Sequence, residues 1–270
     1  MSKKKKLEEP KVLVFDIETA PIVAYVWGLW DQNIGLNMIK EDWYVMSFAA
    51  KWLSDGPKGV MYMDQAGLNP QNDDLSLLKT IWALLDEADV VITQNGKKFD
   101  QKKLNARFIL RGLAPVSSFR HIDTLQIAKK HFAFTSNKLE YMTDKLCVKY
   151  KKLKHGKFGG FSLWKECMAD NPKAWKEMEK YNKYDVLSLE ELYYKLIPYE
   201  NGLNFNVYHD SVDHVCNCGS KLSIPNGFYY SNTGKFQKHK CVACGHETRD
   251  KVNLLTKEKR KSLRTNTPKK

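Results

Sequence analysis

Asp16 and Glu18 stand two residues apart in Val-Phe-Asp-Ile-Glu-Thr, directly after the β-branched and aromatic run Val12–Phe15. On a strand, a spacing of two puts both side chains on one face. Carboxylates that close repel unless a positive charge lies between them, and a hard divalent cation with oxygen ligands meets that need. Solvated acids at an exposed strand end are the plainer alternative. Asp100 closes Gln-Asn-Gly-Lys-Lys-Phe-Asp, past a second apolar run and at the start of a helical pattern. The helix dipole alone would favour an acid there. Tyr181 and Asp185, in Tyr-Asn-Lys-Tyr-Asp, are four apart on a long helix and share its face, as many surface pairs do.

Sulfur chemistry is concentrated near the C-terminus. Cys216-Asn-Cys218 and Cys241-Val-Ala-Cys244 form two knuckles separated by 22 residues, each followed by glycine (Gly219, Gly245). Thiolate pairs on tight glycine turns supply the four ligands of a tetrahedral Zn²⁺ site. A segment this short buries little core, so metal binding would supply its folding free energy. The first knuckle is Cys-x-Cys where Cys-x₂-Cys is usual, which leaves His214 or His239 as a substitute for one ligand. Cys147 and Cys167 lie in helical, apolar contexts and are expected as core thiols.

The elements that must hold these residues can be read from periodicity. Strands are expected at Val12–Phe15, Val45–Leu53, Gly59–Met63 and Val90–Thr93, with a turn at Asp55-Gly56-Pro57. Helical spacing runs over Leu75–Glu87, Phe99–Leu110, Thr124–Lys130 and Leu139–Cys147. A Lys/Gly-rich loop is expected over 149–160. A long helix then opens at Pro172 and runs to about Leu196, with Pro198 marking its end. Strands first, then strand–helix alternation, then helices indicate an α/β domain. The expected organisation is a basic, unstructured lead-in over 1–10, the α/β domain over 11–200, a cysteine module over 207–250 and a basic, disordered tail over 251–270. Phe99 is expected in the core, with a base-stacking wedge as the alternative. Trp27, Trp30 and Trp43 are expected in core or hairpin packing, with stacking on single-strand bases the less usual use.

Asp-x-Glu on a first strand, Asn-x-x-x-Phe-Asp in the middle and Tyr-x-x-x-Asp on a late helix together resemble the three motifs of the DnaQ-like (DEDD) 3′–5′ exonucleases of the ribonuclease-H-like superfamily. Tyr181 four positions before Asp185 is similar to the DEDDy branch; the DEDDh branch would carry histidine where Lys180 stands. Asp-Ile-Glu-Thr-Ala-Pro and Phe161-Ser-Leu-Trp-Lys-Glu-Cys resemble stand-alone exonuclease-like proteins of phage and bacterial origin. Ala20-Pro21 departs from the Thr-Gly that often follows the first motif in the DEDDh branch. His121-Ile-Asp-Thr-Leu resembles the Asp-Thr-Leu between the later motifs, with Asp123 read as supporting structure.

The resemblance implies a ribonuclease-H-like mixed sheet flanked by helices, with Asp16, Glu18, Asp100 and Asp185 holding two Mg²⁺ or Mn²⁺ ions. Tyr181 would orient the attacking water, since a phenol near pKa 10 is a poor base at neutral pH. The cysteine module resembles a small zinc ribbon with one structural Zn²⁺ held by Cys216, Cys218, Cys241 and Cys244.

Of 270 residues 43% are hydrophobic and 12% aromatic, enough for a core, which excludes global disorder. No apolar run approaches the ~18 residues of a membrane span, and Met-Ser-Lys-Lys-Lys-Lys has no secretory character. The reading is a cytoplasmic protein, in the host cytoplasm if phage-encoded, with reduced cysteines. Net charge is +13, and residues 251–270 hold eight Lys/Arg against Glu258 alone. Such an arm fits polyanions. The expected partner is nucleic acid, single-stranded DNA or DNA 3′ ends before RNA, and a replication or recombination protein could join it. The rival readings are an RNA 3′–5′ exonuclease on the same fold, an accessory protein that binds without cutting, and an endonuclease or transposase-like enzyme.

Overall fold

The computed structural model describes residues 9–151, 153, 156–208 and 213–267, and the chain divides into two compact units between Lys195 and Leu196. Most of the lead-in, parts of the loop over 149–160 and the last three residues lie outside the described residues.

The larger unit runs β1 (Val12–Thr19), β2 (Val23–Ala24), β3 (Ile39–Glu41), β4 (Val45–Trp52), β5 (Met61–Asp64), α1 (Leu75–Glu87), β6 (Val90–Thr93), α2 (Asp100–Leu110), β7 (Arg120–Asp123), α3 (Thr124–His131), α4 (Leu139–Leu146), α5 (Ser162–Met168) and α6 (Pro172–Leu196). Five strands form one mixed sheet in the order β5-β4-β1-β6-β7. β4 lies antiparallel on one side of β1, and β6 parallel on the other. The antiparallel half needs only a short β4–β5 connection. The parallel half needs crossovers, and α1 and α2 supply them.

Alternation along β1 divides its side chains between two layers. Leu13, Phe15 and Ile17 pack with Leu77, Leu78, Ile81 and Leu85 of α1 and Leu104 and Phe108 of α2. Each such buried side chain contributes about 1.5–3 kcal/mol. The even-numbered residues face α6. Asn182 of α6 donates to Asp16, and Lys51, opposite Val14 on β4, pairs with Glu190 at 2.8 Å.

A buried ionic knot ties the helical layer to the sheet. Arg107 on α2 donates to both oxygens of Asp74, at 2.7 and 2.6 Å, and Asp74 also accepts the Val45 backbone N–H at 3.1 Å. Removing the guanidinium leaves a buried carboxylate without its main partner, so Arg107→Leu should cost about 3–5 kcal/mol of stability. Urea unfolding checks this; a loss under 1 kcal/mol would contradict it.

The sequence expectations do not include β2, β3 or α5, and they differ from the structure in four further places. β7 has one buried aliphatic residue, Ile122, and so shows no apolar run. Phe99 is 40% exposed and outside the core, because the turn before α2 points it outward. Trp27 and Trp30 are 96% and 83% exposed, since β2 and β3 pair only with each other and give them no second layer. The fourth is in the tail.

The smaller unit carries β8 (Ser223–Ser231), β9 (Gly234–Cys241), β10 (Glu247–Arg249) and α7 (Lys257–Ser262), with the strands antiparallel in the order β10-β9-β8. Within the tail expected to be disordered, Leu254 N donates to Lys235 O at 2.7 Å, and Thr256 caps α7 by accepting the Lys259 N–H. That docking to β9 and the cap give the basic stretch an ordered start. No helix among the described residues is long and apolar enough to cross a membrane.

Candidate active site

The site is built where β1 ends. The register between β1 and β4 shifts at Glu18/Thr19, an irregularity of the kind that re-aims side chains beside active sites. Carboxylate oxygens of Asp16, Glu18 and Asp185 lie within 4.8 Å of one another. Asp185 is buried, and Asp16 and Glu18 are half-buried. At that separation in a partly desolvated place three like charges repel strongly. A divalent cation with oxygen ligands suits the donor set, so these residues could hold one.

Asp100, the fourth predicted carboxylate, is outside that mutual 4.8 Å group. It heads α2 and accepts the Ile17 backbone N–H at 3.3 Å, one residue along β1 from Asp16. Burial pushes its pKa up to about 7; its own N–H and that of Ile17 pull the other way, and the Asp123 charge adds to the rise. A cation nearby would offset the burial cost.

The turn before Asp100 is held by Asp123. Its carboxylate accepts N–H groups from Asn95 at 2.9 Å, Lys97 at 3.3 Å and Leu125 at 3.0 Å. Asn95 takes a left-handed φ of 65°, which asparagine tolerates better than most residues. A Cβ on Gly96 would meet Thr93 Oγ1 at 2.2 Å, so Asn-Gly is demanded by the turn. His121 braces the same strands. Its Nε2 lies 2.8 Å from the Thr93 hydroxyl and its Nδ1 3.0 Å from Gln101 Oε1. Burial lowers its pKa to about 4, against the pull of Asp123, so the ring is neutral and Nδ1–H donates to Gln101.

Tyr181 lies one turn before Asp185 on α6 and is 8% exposed. The Trp164 ring of α5 meets it edge-on at 6.1 Å. Between them in sequence stands Asn182, which the motif reading passed over. Its Nδ2 donates to Asp16 Oδ2 at 2.8 Å, and its Oδ1 accepts the Ser47 hydroxyl at 3.2 Å. Fully buried, Asn182 fixes the Asp16 carboxylate from the opposite layer. Partners of this kind around ligand residues are typically worth 10–100-fold in metal affinity or activity. Asn182→Ala should therefore lower any metal-dependent rate at this site by about 10–100-fold, read in single turnover, with the unfolding midpoint measured alongside. An unchanged rate would remove Asn182 from the site.

A cleft of about 560 Å³ opens next to Thr19, lined also by Ala20, Trp43, Lys103, Phe161 and Trp164. The Lys103 ammonium sits 3.7 Å from the Trp43 ring centroid, and burial lowers its pKa. A cation on an aromatic face in a cleft that includes Thr19, the residue after Glu18, offers an anion and a planar group a place to bind. The pair was not visible in sequence, because 60 residues separate its members.

In the smaller unit the four expected sulfurs converge. Cys216 and Cys244 Sγ are 3.5 Å apart, Cys218 and Cys241 3.7 Å, and all four lie within 4.8 Å of one another as free thiols. Tetrahedral ligands at ~2.3 Å place sulfurs roughly 3.8 Å apart, so the set fits a zinc-sized cation. Both knuckle glycines have positive φ, 86° at Gly219 and 77° at Gly245. Asn217, inside the short first knuckle, accepts the Phe205 N–H at 3.0 Å and donates to Leu203 O at 2.9 Å. His214 faces Asn206 at 3.3 Å, and His239 lies 3.1 Å from Asp250. The other two cysteines are buried core thiols, and burial pushes both pKa values up to about 12.

The family model of the RNase H superfamily matches residues 44–197, more than half of the chain. The chain belongs to the RNase H superfamily. Asp100, Tyr181 and Asp185 fall within the matched residues of this RNase H superfamily domain, and β1 with Asp16 and Glu18 precedes them. No curated protein sequence matches the chain. Among solved structures it is similar to the family B DNA polymerase from the hyperthermophilic archaeon Pyrobaculum calidifontis, with a TM-score of 0.54 and 19% sequence identity. The likeness covers 77% of this chain and 28% of that one. At that identity it speaks for the RNase H-like fold.

Proposed function

We propose that the chain is a metal-dependent 3′–5′ exonuclease that hydrolyses terminal phosphodiester bonds of single-stranded DNA or DNA 3′ ends and releases nucleoside monophosphates. The observation that carries this is the meeting of Asp16, Glu18 and Asp185 oxygens within 4.8 Å at the end of β1, with Tyr181 one helical turn from Asp185. Asp100 completes the ligand set. When bound, Mg²⁺ or Mn²⁺ would supply Lewis-acid stabilisation of the charge that develops on phosphate and leaving oxygen.

The chain's own groups position the reaction. The Tyr181 hydroxyl orients a water in line with the terminal phosphorus, and Trp164 holds the phenol ring edge-on. Asn182 keeps Asp16 turned toward the site. Water oxygen forms the new P–O bond, the P–O3′ bond of the penultimate nucleotide breaks, and its 3′ oxygen leaves as a hydroxyl. Positioning and electrostatics carry the rate. On the outer side of α6, exposed Lys173, Lys176 and Lys180 follow at three- and four-residue spacing and suit a phosphate backbone.

One Zn²⁺ held by Cys216, Cys218, Cys241 and Cys244 makes the smaller unit a zinc ribbon, which with the basic tail holds the nucleic acid without base specificity. The likeness to a DNA polymerase fits a replication or recombination protein as partner. The test is a 5′-labelled single strand, DNA or RNA, incubated with Mg²⁺ or Mn²⁺. A ladder shortening from the 3′ end is the expected result. Defined internal fragments would make the enzyme an endonuclease, and binding with no cleavage an accessory protein.

A further inference from the structure

Phe228 and Tyr230 are two apart on β8, so they share a face of the sheet at a separation of about 7 Å. They are 43% and 66% exposed. Across the hairpin the register pairs Tyr230 with Lys235, and the Lys235 ammonium lies 3.9 Å from the Phe228 ring centroid and 5.9 Å from that of Tyr230. On the opposite face Arg249 lies 5.1 Å from the Tyr229 and 4.2 Å from the Phe236 ring centroid, which leaves Tyr229 45% exposed but with a cation already on its ring. The same end of β9 anchors the tail. Lys235 N donates to Asn253 Oδ1 at 3.2 Å and Lys235 O accepts the Leu254 N–H. That brings Lys257, Lys259, Arg260 and Lys261 of α7 into the unit, with Glu258 as the helix's one acid.

Two outward aromatic rings with an ammonium over them thus lie on the hairpin to which the lead-in of a cationic helix is anchored. Rings offer stacking to any base, and the cations offer phosphate contacts. We propose that this face of the β8–β9 hairpin is a stacking platform for single-stranded nucleic acid, with bases laid on Phe228 and Tyr230 and phosphates drawn to Lys235 and α7. The inference rests on the nucleic-acid reading above and assigns it to particular residues. It also separates two roles: the metal site cuts, and this face grips unpaired bases.

The test uses the full, zinc-loaded chain without added Mg²⁺ or Mn²⁺, titrated into 5′-fluorescein oligothymidylate, oligouridylate and an abasic strand of equal length, read by anisotropy. F228A/Y230A should bind the base-bearing strands about 30-fold more weakly than wild type. F228L/Y230L keeps apolar bulk on the strand and should show the same loss, because a leucine offers no π-face. On the abasic strand wild type and both variants should bind within about twofold of one another. Wild-type affinity for base-bearing strands in either variant would overturn the platform. So would an equal loss on the abasic strand in both variants, because the two rings would then serve the hairpin's fold and not contact with bases. If wild type shortens DNA with Mg²⁺ and the variants bind normally, this inference alone falls. If wild type neither binds nor shortens DNA or RNA, the nuclease reading falls and takes this one with it.

Discussion

Asp16→Asn and Asp185→Asn should each abolish strand shortening, by roughly 10³-fold or more, while leaving nucleic-acid binding in place. Both changes keep the side chain's size and remove the charge that a cation would need. Asp100→Asn should lose activity as well, yet stabilise the fold. Burial raises the pKa of Asp100 from its ordinary 3.8 to about 7, so the folded state disfavours its charged form. Folding stability is therefore lost as pH rises from about 4 through about 7 and is lowest above it. An amide has no proton to lose and escapes that cost. At pH 8 without added Mg²⁺, Asp100→Asn should unfold at higher denaturant than wild type by a few kcal/mol, on the order of 1.4 kcal/mol per pKa unit. At pH 4 the two should unfold together. An inactive but stabilised variant is what a residue kept for function looks like. Wild-type turnover in Asp16→Asn and Asp185→Asn would show that the carboxylate cluster is not the site.

Metal removal from the cysteine cluster should unfold the smaller unit. Structural Zn²⁺ contributes an apparent ~10–16 kcal/mol in small domains at neutral pH, far more than the few buried side chains of this unit can replace. Cys216→Ser or Cys244→Ser should have the same effect. The measurements are native mass spectrometry, which should show one zinc per chain, and thiol labelling, which should rise at all four cysteines on chelation. Cys147 and Cys167 should stay protected, because they are buried in the larger unit. Binding to single strands should lose much of its salt dependence at the same step. A chain that keeps its thiols protected without any metal would refute the zinc assignment.

Much of the carboxylate site was legible because the signal is local. Asp16 and Glu18 share a strand face through spacing alone, and Tyr181 and Asp185 share a helix face through spacing alone. The four cysteines were legible because thiolate pairs on glycine turns have few other uses. What escaped depends on the other layer. Asn182 reads as one polar residue among several on α6, and only the approach of α6 to β1 gives it Asp16 to hold. Trp43 and Lys103 met across the fold with no sequence pattern to link them. Phe99 was placed in the core from its type, but the Asn95–Gly96 turn, shaped by Asp123, aims it outward. The order in the tail was missed because its cause is a tertiary hydrogen bond from Leu254 to β9.

Asn182 reaches back 166 residues to donate to Asp16, and that span has a meaning for a chain made from its N-terminus. Every strand of the large sheet is present by residue 123, so the sheet can pair before α6 has been synthesised. A chain stalled at residue 171 would have Asp16, Glu18 and Asp100 and none of Tyr181, Asn182 or Asp185. Asp16 would lack both Asp185 beside it and the Asn182 amide that donates to it. On the exonuclease reading proposed above, an unfinished chain would not cut the nucleic acid around the ribosome that makes it, and competence would arrive with α6.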